Sequence, residues 1–341
     1  METNLLITPS QNMMMVRAND WKQEVEDAVL IMEQPKKHSP FIEANTTEVT
    51  LGHLKNDCII PTFAKDNEVC ISHQNFIESV YEATKDFYHG EIINTPDIRT
   101  SHIVKGRIPE AINKRVDQLL ESDKTMYYER MIFNIEIPSI HQDVNGNQLN
   151  LSITGCKSYA RDNLSGKMAA QKFSIAVGFL NLACTNQCLS TDGYKEEIKG
   201  TSSSDLYKFT LDLFSQYNVA KHIHLMQSLG DTMLSEHQFC QILGRMRLYN
   251  YLPQHQQKKL PRLLITDSQI NNVARQYIHD DNFAGSNGEL SMWKFYNLLT
   301  GANKNSYLDS FLGRSVNATE VSMGLTEALN HKDEAYSWFI E

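Results

Sequence analysis

FSIAVGFLNLACTNQCLSTDG, from Phe173 to Gly193, divides this chain in two. An apolar run of strand length ends at a dense polar knot of Cys184, Thr185, Asn186, Cys188, Ser190, Thr191 and Asp192. β-Branched and aromatic residues bounded by turn formers mark a strand, so the knot reads as the end of a buried strand that presents small polar groups. Upstream the chain reads as strands and turns. Downstream, from Ser202, apolar residues recur at helical spacing. The expected fold is α+β: an antiparallel sheet with packed helices in the N-terminal part, followed by an all-helical C-terminal part. The boundaries are residues 1–44 for an N-terminal helix plus linker, 45–200 for the sheet domain and 201–341 for the helical domain.

Working upstream, MYYERMIFNIEI alternates around Met131, Phe133, Ile135 and Ile137, and QLNLSITGCKSY around Leu149, Leu151 and Ile153. Asn145-Gly146 falls between the two runs, a strong hairpin signal. Residues 126–184 should therefore hold three or more antiparallel strands. Shorter strand candidates are TEVTL, CIIPTF and EVCIS, with Pro61 placing the second at an edge or bulge. Asn19 could cap a helix over Asp20–Met32. Ser72 caps another through Phe76, Val80, Ala83 and Phe87, which Gly90 stops. A helix is also expected from Pro109 to Leu120.

Working downstream, Leu206, Phe209, Leu213 and Tyr217 form a stripe that His222, His224 and Met226 continue in a long or broken element. Ser235-x-x-Gln238 is a capping box for a helix through Phe239, Ile242, Leu243 and Met246. Further helices are expected near Asp267–His279, Ser291–Thr300 and Ala318–Leu329.

With 341 residues, 41% hydrophobic and 21% charged, the composition is that of a globular protein able to bury a large core. The longest apolar run, Ser174–Cys184, is too short to span a bilayer as a helix, and METNLLITPSQNMMM lacks the features of a signal peptide. No membrane association and a cytoplasmic location are expected. Six cysteines need not be staples in a chain this long. Cys184 and Cys188 have three residues between them, a conceivable metal half-site that His222 and His224 could complete only by folding. Structural cysteines are the favoured reading.

The net charge of −9 is unevenly spread. Residues 1–100 carry 8 basic and 16 acidic side chains, residues 101–264 carry 19 and 15, and residues 265–341 carry 5 and 10. An acidic protein with a basic middle can still hold a polyanion locally, but it does not coat DNA indiscriminately.

GRMRLYNYLPQHQQKKLPRL, Gly244–Leu263, concentrates Arg245, Arg247, Lys258, Lys259 and Arg262 with no acid between them, and interleaves Tyr249 and Tyr251. Guanidiniums suit phosphates and tyrosines can stack on unpaired bases. A solvated helix end and loop is the plainer alternative. Arg99, His102, Lys105 and Arg107 could point donors at one anion, or could protect an exposed edge strand. Asn186 and Asp192 could line a pocket. Equally, the knot could be a tight turn with Gly193 at positive φ. There is no GxSxG elbow, HExxH or phosphate-loop glycine pattern, so no catalytic residue and no cofactor is implied.

The blocks HLKNDCIIPTFAKDNEVCISHQNFI, RTSHIVKGRIPEAI, YYERMIFNIEIPSI, CTNQCLSTDG, YNYLP and WKFYNLLTGANKNSYLDSFL occur in that order. Over roughly residues 45–340 they resemble an uncharacterised bacterial family, domain of unknown function 3871. CTNQCL and WKFYNLLTGANKNSYLDSF are also similar to blocks in phage/plasmid-like proteins of unknown function. The resemblance implies a cytoplasmic accessory protein of mobile DNA, carried on conjugative elements and prophages, and it brings no catalytic residues. The leading expectation is a binder of nucleic acid, single-stranded DNA first, in maintenance, recombination or transfer. An anti-defence or regulatory module that captures a host or element-encoded protein is the second, motivated by the acidic ends. An enzyme built around residues 184–192 is the third.

Overall fold

The computed structural model describes residues 39–58, 70–111, 113–162, 171–280, 283 and 289–341. The helix expected over Asp20–Met32, residues 59–63 of CIIPTF and residues 68–69 of EVCIS lie outside them; the described end of EVCIS, Cys70–Ser72, is not strand, because Ser72 caps the next helix. Six strands form one sheet in chain order: β1 (Thr47–Val49), β2 (Asp97–Arg107), β3 (Lys124–Val144), β4 (Asn147–Ser158), β5 (Gln171–Asn181) and β6 (Asn186–Gly200). Every neighbouring pair is antiparallel.

The β3–β4 turn is the expected one. Asn145 (φ 48°) and Gly146 (φ 80°) both take the left-handed conformation that a two-residue hairpin requires, and Val144 faces Asn147. Pro138 lies where the β3–β4 register shifts, between Ile137 and His141, because its missing N–H cannot join a ladder.

The period-two alternation sends Phe133, Ile135, Leu151, Ile153, Phe173, Ile175 and Val177 into the main core. That face receives α1 (Leu51–Asn56), α2 (His73–Phe87), α3 (Ser203–Gln216) and α4 (Val219–Ser228). Ser72 and Ser202 cap α2 and α3 as side-chain acceptors. The stripe predicted to run on past Tyr217 breaks there, and Asn218 caps the new helix.

Beyond β7 (Met233–Ser235) come α5 (Glu236–Tyr249), the short α6 (Gln254–Gln257) and α7 (Asp267–His279). They are followed by β8 (Glu289–Ser291), α8 (Met292–Asn303), α9 (Leu308–Leu329) and α10 (Ser337–Ile340). The N-terminal half of α9 covers the second sheet face. Leu308, Phe311, Leu312 and Val316 meet Ile132, Cys156, Ala176 and Leu189 there, together with Phe41 and Ile42.

Three expectations need correction. The C-terminal part is not all helical: β7 and β8 pair, and their last residues, Ser235 and Ser291, cap α5 and α8. The pairing fixes two helix starts at once. Among the described residues no long helix follows Pro109; 3₁₀ turns stand at Pro109–Ala111 and Val116–Gln118 instead. Val116 and Leu120 stay 76% and 62% exposed, so the segment has no apolar stripe to bury and a helix of that length is marginal alone.

The third correction concerns the knot, which belongs to the β5–β6 hairpin. Its turn is Leu182–Thr185, and β6 then runs to Gly200. Between the pairs Gly178–Leu189 and Ala176–Tyr194, β5 spends one residue and β6 four, so Ser190–Gly193 form a bulge. Gly193 does not need positive φ. It needs the absence of a Cβ, which would lie 2.2 Å from the Val177 carbonyl oxygen.

Candidate nucleic-acid interface

The basic stretch bends around the junction of α5 and α7. Tyr249 is buried, packs against Phe339 and accepts a hydrogen bond from the Leu263 N–H. It is a core residue and cannot stack on a base. Tyr251 is 72% exposed, with its hydroxyl donating to Asp267 Oδ2 at 2.7 Å. Arg247 Nε lies 3.5 Å from the same oxygen. The acid missing between residues 244 and 263 therefore arrives from the first turn of α7, where the helix dipole favours it. The Tyr251 hydroxyl first, then the Asn250 amide and the Arg247 charge, hold the Asp267 carboxyl below its usual range. Arg245 lies over the Trp338 ring at 5.1 Å. Lys258, Lys259 and Arg262 are exposed, and no carboxylate among the described residues pairs with them.

Next to this loop, an open groove of about 590 Å³ lies between α7, the end of α8 and the start of α9. Its walls carry two guanidiniums, Arg275 and Arg314, the Tyr307 ring, and the amides of Asn271, Asn272 and Asn305; among the described residues no carboxylate lines it. The floor is rigid. Ser306 Oγ accepts from Arg314 Nη1 (2.9 Å) and Gln269 Nε2 (2.7 Å), and donates to Asn303 Oδ1 (2.6 Å). Burial pulls the Arg314 pKa down, and nearby Asp309 opposes this. Arg275 Nη2 donates to Asn272 Oδ1 at 2.7 Å. Tyr307 is 66% exposed, with the Arg130 guanidinium 5.7 Å from its ring centre.

None of the groove residues was singled out from the sequence. A usable signal existed: Ser268, Asn271, Asn272 and Arg275 stand at i, i+3, i+4 and i+7, and Tyr307 and Arg314 are seven apart. That spacing makes a polar helix face as surely as an apolar one. Only the packing of α7 and α9 against α8 brings the two faces together.

The other candidates do not assemble. Arg99 is held by Glu48 (3.1 Å) and Asp97 (3.0 Å), and Arg107 donates to the Lys114 carbonyl. His102 and Lys105 are exposed on β2, where β1 pairs only as far as Thr100. This is the protected edge strand. Asn186 and Asp192 are six residues apart on one strand, Asp192 within the Ser190–Gly193 bulge, and they serve different neighbours. Asn186 donates to the Asn297 carbonyl (3.0 Å) and leaves its Oδ1 buried without a partner. Asp192 accepts from Ser190 Oγ (2.6 Å) and the Asn218 N–H (3.2 Å), which fixes the bulge to the start of α4.

Cys188 is buried, which raises its pKa, and His222 is paired with the Tyr217 hydroxyl at 2.7 Å. Among the described residues, no three His, Cys, Asp or Glu side chains gather as a metal would need. A separate buried pair, Lys157 Nζ and Asp162 Oδ2 at 2.8 Å, shares Gln171 with Cys70 and ties β4 to β5.

A six-strand antiparallel meander between two helical layers, with a cationic groove on the helical side, defines an α+β protein. The chain belongs to the family described as "Domain of unknown function, B. Theta Gene description", domain of unknown function 3871, matched over residues 24–340. No curated protein and no solved structure matches it. Among the described residues no helix is long and apolar enough to cross a membrane.

Proposed function

We propose that this protein binds single-stranded nucleic acid, DNA in preference to RNA, as an accessory factor in the maintenance, recombination or transfer of a mobile element. The observation that carries the reading is the groove lined by Arg275 and Arg314, beside the exposed cations Lys258, Lys259 and Arg262, with no carboxylate among the described residues lining the one or pairing with the other. The two areas join through α9. Asn317, one turn from Arg314, donates to the Arg262 carbonyl and accepts from the Leu264 N–H. Exposed Tyr251 and Tyr307 favour a single strand, since only unpaired bases can stack on them. The acidic remainder of the surface confines a polyanion to this face.

Binding of labelled oligo-dT, the matching duplex and RNA by fluorescence anisotropy tests this. Three phosphate contacts on a single strand give a log–log salt slope of about −2, a roughly twenty-fold weakening between about 50 and 200 mM salt. The single strand should bind ahead of the duplex, and the triple change Lys258→Ala, Lys259→Ala, Arg262→Ala should weaken it about ten-fold or more. Salt-independent binding, or an unchanged triple variant, overturns the proposal.

A further inference from the structure

The groove has the size and chemistry of a site for a small ligand, beyond that of a surface that merely attracts a chain. We infer that it holds one nucleotide unit, with the phosphate between Arg275 and Arg314 and the base against Tyr307. This rests partly on the nucleic-acid reading, but it is testable with a free nucleotide, to which that reading makes no claim.

The volume, about 590 Å³, falls among those of ligand pockets, roughly 300–1,000 Å³. The groups match the parts of a nucleotide. Guanidinium forks suit phosphate oxygens, two at a time. Arg314 is already oriented by Ser306, which the buried Gln269 and Asn303 hold in turn, so little side-chain freedom remains to be lost on binding. Arg275 approaches from the neighbouring helix and is steadied by Asn272. Outside the lining, the charge of Asp309 reaches Arg314, and this carboxylate also lies 3.8 Å from Arg130. Two guanidiniums, with no lining acid among the described residues, suit an anion better than a metal ion or a basic peptide. An exposed aromatic ring beside an anion site suits a ligand with a flat ring attached to its phosphate. Asn271 and Asn305 carry amides that both donate and accept, which fits the polar edges of any base rather than one in particular.

Calorimetric titration of the full chain with inorganic phosphate, with thymidine monophosphate and with oligo-dT tests the assignment. Arg275→Gln and Tyr307→Ala both change exposed side chains, so the fold should survive them, and Tyr307→Phe retains the ring. Thymidine monophosphate should bind more tightly than phosphate. Its affinity should fall about ten-fold or more in Arg275→Gln and Tyr307→Ala and recover in Tyr307→Phe. If oligo-dT weakens in parallel, the nucleotide is part of a strand. If only the free nucleotide weakens, the ligand is a free nucleotide. No saturation by thymidine monophosphate at millimolar concentration, or equal affinities in all three variants, overturns the inference. Should the Lys258, Lys259, Arg262 variant still lose oligo-dT in that case, strand binding stands without the groove.

Discussion

His222 and His73 are buried imidazoles, and no carboxylate among the described residues forms an ion pair with either. His222 Nδ1 accepts from the Tyr217 hydroxyl, Phe179 and Tyr217 flank the ring, and Asp192 exerts only a weak opposing pull. His73 Nε2 donates to the Tyr128 carbonyl, and the Lys157 charge disfavours a second proton. Burial depresses His73 to about 3 and His222 to about 4, from 6.5. Between those values the unfolded chain binds more protons than the folded one, so stability rises with pH. The contribution is complete above about pH 6.5 and is lost as the pH falls towards the folded values. From about pH 7 to about pH 5, each histidine should remove about 2 kcal/mol. Urea unfolding at the two pH values measures the loss, and coincident midpoints would show that these rings titrate freely in the fold. Tyr249 teaches a related lesson. Its neighbour Tyr251 has the same composition around it, but one ring is core and the other is solvent-exposed, and no spacing rule in a short loop separates them.

The hairpin of β5 and β6 shows where an element is legible and where it is not. Phe173–Asn181 reads as a strand because its residues are apolar on both faces, and both faces are covered. Asn186–Gly200 carries Asp, Gly, Lys and Glu, poor strand formers, and it pairs because β5 presents a ladder and α9 packs along it. Its Ser190–Gly193 bulge is fixed by contact rather than by dihedral preference. In Gly193→Ala the new methyl would meet the Val177 carbonyl oxygen at 2.2 Å and the Tyr217 ring at 3.1 Å. We expect a loss of about 1–3 kcal/mol in thermal or urea unfolding; a neutral substitution would mean that the strand can shift without cost. Helix starts were far more readable. The capping boxes at Ser202–Asp205 and Ser235–Gln238 close as the residue types foretell.

One continuous apolar cluster runs from Leu54 on α1 through the sheet strands to Phe339 on α10, so the helical segment has no core of its own apart from the sheet. Unfolding followed by far-UV circular dichroism and by tryptophan emission, to which Trp293 and Trp338 contribute, should therefore give coincident transitions. Two separated steps would show that the sheet and the C-terminal helices fold independently. The α+β class, the Asn145-Gly146 hairpin, the capped helices and the acidic surface with a basic middle are properties of neighbouring residues and of composition, and the sequence determined them by itself. Which tyrosine is buried, that Asp267 answers Arg247, and that Arg275 and Arg314 share a groove with Tyr307 were decided only in three dimensions. Each depends on helices distant in sequence being pressed together by the apolar faces they bury, and local periodicity describes those faces without saying which partner each will meet.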